Sequence, residues 1–311
     1  MATSGSTPGA AKSRGIGWRI ACLLLSYVAI AALCNAAWHL LGLPPQMRHG
    51  VLDPGLMFLT GVILVGAVLA ASALTLRLFE RRPLATIGVP VSGPWVPQLL
   101  IGLIFGAMVP IAFFLIAWKS GHAHVSRVAV DAHYILRQTL PAFGAFLLLA
   151  FNEELLFRGY LLQAIAQRGG RHAAALITGA LFGLAHAASG ADVAGIGFTA
   201  LGGALLAYLI MRNGSLWMAG GYHAAWNATA SLALGLDVSG TATPGSWIAT
   251  AISGPRWFSG GAYGFESSLI TGLAEPIVLG GLVWLAPRLP VHRELLAFFE
   301  RKPPGTQESS A

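Results

Sequence analysis

Eight apolar runs, each roughly long enough to cross a bilayer as a helix, recur along this 311-residue chain. They restrict its fold more than any other feature. The runs are 16–43, 54–76, 96–118, 138–166, 172–188, 193–211, 215–236 and 267–286. In lipid, every backbone N–H and C=O must find a partner inside the protein, so such runs cross as helices. The expected fold is all-α, a polytopic transmembrane helical bundle of about eight helices. Charge agrees: a soluble domain carries about 25% charged residues, whereas only 10% are charged here and 55% are hydrophobic.

The net charge of +7 would suggest nucleic-acid binding in a soluble protein. Here the basic residues fringe the apolar runs, so they set orientation instead. With the N-terminus in the cytoplasm and helices alternating, 14 of the 19 Lys and Arg residues fall on the cytoplasmic side and 5 on the other. Both termini are therefore expected inside, the lipid bilayer is the partner, and no nucleic acid is. Residues 1–15 read as a disordered cytoplasmic tail, 16–286 as the transmembrane domain and 287–311 as a cytoplasmic C-terminal tail. The run 16–43 is too long for a signal-peptide core and is kept as a span. An Ala-, Gly- and Leu-rich makeup points to a bacterial cytoplasmic (inner) membrane. Cys22 and Cys34 stand twelve residues apart on one predicted helix, about 18 Å, which is too far to bridge.

Against this apolar background one stretch is out of place. Glu153 and Glu154 adjoin the Leu-, Phe- and Ala-rich run from Gln138 to Phe151. A charge at the bilayer centre costs roughly 3 kcal/mol on insertion scales, so a pair there is a functional hypothesis by default. Residues four apart share a helix face, so Glu154 pairs with Arg158 and offsets the burial of both. Glu153 projects elsewhere and is the carboxylate left for chemistry. Two further patterns follow: Phe182 with His186 in the fifth run, and His223 with Asn227 in the seventh, each four apart. Counting about 1.5 Å per residue puts Glu153, His186, His223 and Asn227 roughly 10–20 Å below the cytoplasmic surface. A carboxylate and a histidine can hold and deprotonate a water. A second histidine and an amide can donate to an oxyanion. These are the parts for hydrolysing an amide bond with activated water. Phe182 is expected to pack and shape the site. His122, His124 and His133 read as loop histidines, and Glu275, before Pro276 in the last run, is an intramembrane acid without an assigned role.

The three patterns, read in order as EELLFR, FGLAH and HAAWN, resemble those of the CPBP family. This family comprises the CAAX-prenyl-protease and bacteriocin-processing intramembrane proteases, also called Abi proteins or type II CAAX endopeptidases. The similar region runs over 138–236. The resemblance implies an eight-helix intramembrane protease whose site opens toward the cytoplasm. It implies that Glu153 and His186 activate the water, that His223 and Asn227 stabilise the oxyanion, and that Glu154 and Arg158 shape the site. It favours a metal-independent water and no required cofactor, with zinc on Glu153, His186 and His223 as the alternative. The implied substrate is a membrane-associated protein or peptide, with prenylated C-terminal Cys-a-a-X tails as one class. Two other readings compete: a proton- or ion-coupled transporter using Glu153, Glu154, Arg158 and Glu275 as a relay, and a non-proteolytic immunity protein that keeps the cavity for recognition.

Overall fold

All eight apolar runs are helical in the computed structural model, which describes residues 15–44, 47–48, 51–242 and 244–300. The expected tail over 1–14 and the end of the chain from 301 lie outside the described residues. The long helices are α1 (Ile16–Leu40), α2 (Pro54–Phe79), α3 (Trp95–Lys119), α4 (Leu140–Glu154), α5 (Leu161–Ala185), α6 (Val193–Asn213), α7 (Trp217–Ala228) and α8 (Leu269–Leu285). Three of them start on an acid or serine cap, where the side chain accepts an otherwise unpaired N–H. Asp53 takes that of Leu56 at 3.0 Å, Asp192 that of Gly195 at 2.7 Å and Ser268 that of Thr271 at 3.1 Å.

Among the described residues, six helical stretches are long and apolar enough to cross a membrane. They are fewer than eight for two reasons. The runs 138–166 and 172–188 belong to one stretch, Ala132–Ser189, in which a π-helical turn (Leu155–Tyr160) joins α4 to α5. Gly170, at φ 76° and ψ 171°, breaks that stretch and sends the second arm of α5 back along the first. Only glycine adopts such a φ without a steric penalty. The return is direct: the rings of Phe157 and Phe182 meet at 5.3 Å. The second reason is α7, which is short even with the π-helical turn Thr229–Ala233 behind it.

Side-chain contacts sort the helix ends into two sets. At one end Arg19 reaches Glu80 at 3.2 Å and Gln167 at 3.1 Å, Arg82 reaches Gln163 at 2.9 Å, and Gln98 donates to the carbonyl of Pro290 at 2.9 Å. At the other, strand β3 (Ala123–Arg127) pairs antiparallel with β4 (Ile248–Ile252), Ala123 opposite Ile252. A smaller pair, β1 (Met47–Arg48) and β2 (Val51–Leu52), lies between α1 and α2. Tyr134 donates to the Ser246 carbonyl at 3.0 Å, and Asp192 pairs with Arg256. The first set is the basic end and the second the loop end. Consecutive apolar helices alternate between them, as an up-and-down bundle requires.

Small residues let the helices close on one another, as expected where lipid supplies no hydrophobic drive between them. Gly102 and Gly106 press α3 onto the backbone of α7 at Met218 and Tyr222, and Gly179 and Gly183 press α5 onto α6 at Ala200 and Ile196. Large apolar side chains on α1, such as Leu25 and Leu33, each 70% exposed, are left for lipid. The expected C-terminal tail holds a further helix, α9 (Arg293–Glu300), with Leu295 buried beside Gly88 and Leu216 at the basic end.

A single methyl group tests this packing. At Gly106 it would collide with the Tyr222 carbonyl, whereas at Gly66 nothing lies within 4 Å. Gly106→Ala is expected to lose about 1–3 kcal/mol to overpacking. It should lower the unfolding temperature of the detergent-purified protein by several degrees, with Gly66→Ala unchanged.

Candidate active site

The site is built outward from a buried ion pair. Arg158 Nη1 lies 3.1 Å from Glu154 Oε1, and neither side chain is exposed. The i to i+4 reach survives although the π-helical turn begins at Leu155. Such turns recur at functional sites, and a second one follows Asn227 directly, at Thr229–Ala233. Room for the guanidinium comes from Gly203 on α6, where a methyl group would lie 2.6 Å from Nη2. The flat face of Arg158 rests on Phe182, with Cζ 4.0 Å from the ring centroid, a cation–π contact. Beside the pair, Asn152 donates to the Tyr27 hydroxyl at 3.3 Å and ties α4 to α1.

Both histidines are fixed through Nδ1. His223 Nδ1 is 3.0 Å from Glu154 Oε1. His186 Nδ1 is 2.8 Å from the Phe182 carbonyl oxygen. A carbonyl can only accept, and so can an ionised carboxylate, so Nδ1 donates in each case and Nε2 is left for the cavity. His223 Nε2 then stands 3.7 Å from Glu153 Oε2. Phe182 holds both rings, at 4.6 Å from His186 and at 5.9 Å and 90° from His223. It is the packing residue expected, placed between three polar groups.

Glu153, Phe182, His186, His223 and Asn227 all line one cavity of about 70 Å³. His186 and His223 stand unequally far along their helices. His186 closes its helix fifteen residues beyond Arg171, about 22 Å from the basic end. His223 lies only six residues into α7. They meet because α7 starts deeper: Leu216 N–H donates to the Gly88 carbonyl at 2.7 Å and the Trp217 indole to that of Pro90 at 2.7 Å, so the segment before α3 roofs it.

Four other cavity residues escaped sequence reasoning, and Glu275, noted there without a role, joins them. Ser239 and Glu266 enter from the loop end, Tyr222 and Trp226 share α7 with the histidine, and Glu275 proves to face the same space. Glu266 accepts from the Trp226 indole at 3.0 Å and from the Ser239 N–H. Burial pushes its carboxyl above the usual carboxylate range in spite of these bonds. In sequence Glu266 looked like an ordinary loop acid, and only the fold brings it inward. Among the described residues no group of three or more His, Cys, Asp or Glu is arranged to hold a metal ion.

The chemical content is a half-exposed carboxylate, a histidine with a bare Nε2, a second histidine oriented by a buried acid, and an amide. Residues 135–229 match the Rce1-like family of type II CAAX prenyl endopeptidases. The match spans under a third of the chain and contains all three motifs, so the resemblance read from them is borne out over that stretch. No curated protein matches the chain in a sequence search. The family is one of membrane-embedded proteases, and with the apolar helices it makes this an integral membrane protein.

Removing one partner of a buried ion pair costs about 3–5 kcal/mol because the other charge is stranded. Arg158→Met is therefore expected to destabilise the protein far more than Glu153→Gln, and adding Glu154→Gln to Arg158→Met should recover part of the loss. Thermal unfolding of the four proteins in one detergent checks the order.

Proposed function

We propose that this protein is an intramembrane endopeptidase that hydrolyses a peptide bond with a water activated by Glu153 and His186. The observation that carries the reading is the convergence of Glu153, His186, His223 and Asn227 on one cavity, with each imidazole engaged through Nδ1 and open at Nε2. The water sits between the Glu153 carboxylate and His186 Nε2. Glu153 takes its proton as the oxygen attacks the scissile carbonyl carbon. The Asn227 amide and, when doubly protonated, His223 through Nε2–H donate to the oxyanion that forms. As the tetrahedral intermediate collapses, Glu153 passes its proton to the leaving amine. Glu154 accepts from His223 throughout and holds the ring's orientation, while Arg158 keeps Glu154 ionised. Zinc is given no step.

The substrate is a membrane-associated protein or peptide, cut near its C-terminus when it carries a prenylated Cys-a-a-X tail. The excess of basic residues at the basic end supports a cytoplasmic location for that end, in the inner membrane of a bacterial cell. The loops holding Ser239 and Glu266 then close the cavity on the far side, and substrate approaches from the cytoplasm between the helices.

Glu153→Gln and His186→Ala are each expected to lower kcat about 10²–10⁴-fold, and Asn227→Ala about 10²–10³-fold, with the fold retained. Cleavage of quenched fluorescent peptides, prenylated and unprenylated, by protein in nanodiscs provides the measurement. Activity within twofold of wild type in Glu153→Gln would remove that residue from the mechanism. Sidedness has its own check, in a background with Cys22 and Cys34 replaced by Ser. Ser253→Cys in intact cells should react with a membrane-impermeant maleimide and Ser92→Cys should not; the opposite pattern reverses the orientation.

A further inference from the structure

Tyr222 precedes His223 on α7 and lines the same cavity. It is 2% exposed, and its hydroxyl has no hydrogen-bond partner among the described residues. Burying a hydroxyl without a partner is destabilising. Phenylalanine would fill the space without that cost, so packing alone does not account for a tyrosine here. Glu275 lines the same cavity, its carboxylate filling the space that a side chain on Gly202 would take. The wall therefore carries both an O–H donor and a carboxylate acceptor.

A peptide unit carries the complement, one C=O and one N–H. A peptide presented for hydrolysis must leave its helix, since the helix engages its carbonyl oxygens and shields the carbons. The freed backbone groups find nothing to pair with in lipid. The cavity must supply those partners, and the groups used for water activation and oxyanion binding are already committed to the scissile unit.

We propose that Tyr222 is a substrate-binding residue whose hydroxyl donates to a backbone carbonyl flanking the scissile bond, with Glu275 accepting the adjacent N–H. The ligand class is an extended peptide backbone, read independently of side-chain sequence. The word scissile rests on the hydrolytic reading above; the binding itself does not need turnover.

The test uses the full chain in nanodiscs carrying Glu153→Gln, so that peptide is bound without being cut. The probes are fluorescein-labelled, N-acetylated, C-amidated Leu/Ala peptides and copies in which one backbone amide at a time is replaced by an ester, which weakens that carbonyl as an acceptor. Adding Tyr222→Phe is expected to weaken binding about tenfold, the loss of one hydrogen bond. One ester position should weaken binding in the Tyr222 protein and lose that effect in the Tyr222→Phe protein, the signature of direct coupling in a double-mutant cycle. The unfolding temperature should stay level or rise, because an unpaired hydroxyl has been removed. With Glu153 restored, Tyr222→Phe should raise KM with little change in kcat. Binding within twofold, ester effects equal in both backgrounds, a fall in unfolding temperature that tracks the binding loss, or no saturable binding of any probe would each overturn the assignment. Ester coupling without cleavage by the Glu153 protein would sink the hydrolytic reading and leave the subsite standing. Cleavage untouched by Tyr222→Phe would do the reverse.

Discussion

The Glu154–Arg158 pair is the constraint on which the rest of the site hangs. A charge buried in a bilayer-spanning bundle must be neutralised nearby, and here both partners belong to one helical stretch, so the pair forms whatever the other helices do. Each remaining group is then placed relative to it. Glu154 receives His223 from α7, Arg158 lies on the Phe182 ring from the second arm of α5, and the Phe182 carbonyl receives His186. One carboxylate and one guanidinium thereby align side chains from three helices. A lysine in place of Arg158 would keep the charge and lose the flat face that meets the phenyl ring.

Local chemistry was legible in the sequence because it depends on spacing along single helices. The pairing of Glu154 with Arg158, the exclusion of Glu153 from that pair, and the membrane-spanning character all follow from residues four apart and from runs of apolar side chains. What was not legible depends on where helices begin relative to one another. The offset between His186 and His223 along their helices was not legible because nothing in the sequence of α7 says that its first turn hangs from the carbonyls of Gly88 and Pro90. The same holds for Glu266. Its partners, Trp226 and Ser239, are forty and twenty-seven residues away, and no periodicity links a loop acid to a helix across that distance. Nor does the sequence say that the positive φ of Gly170 divides one helical stretch into two arms.

Glycine has a second part in this fold, distinct from turns. Gly102 and Gly106 bring α3 against the backbone of α7, while Gly202 and Gly203 open space on α6 for the Glu275 carboxylate and the Arg158 guanidinium. Small residues thus do opposite work on two sides of α7. On one side they remove volume so that backbones touch, and on the other they create volume that polar side chains occupy. A bundle closed everywhere by the first kind of seam would have no room for a buried guanidinium or for a cavity.

Part of the cost of that arrangement falls at the candidate site. Native interiors leave few buried polar groups unpaired. Among the described residues, buried side-chain atoms without a hydrogen-bond partner include Glu153 Oε2, Glu154 Oε2, Arg158 Nε and Nη2, and the Tyr222 hydroxyl. These five belong to residues that line the cavity or directly support those that do. A half-satisfied polar network is less stable than an apolar core of the same shape, so a sequence selected only for folding would not keep it. Violations of this kind are expected at sites where function opposes stability. The unpaired groups are a donor and acceptor set facing, or lying just behind, a space sized for more than a water molecule. Glu153 and Tyr222 line that space, whereas Glu154 and Arg158 are fully buried behind it, so their unpaired atoms are a standing cost of the ion pair rather than contacts for an entering group.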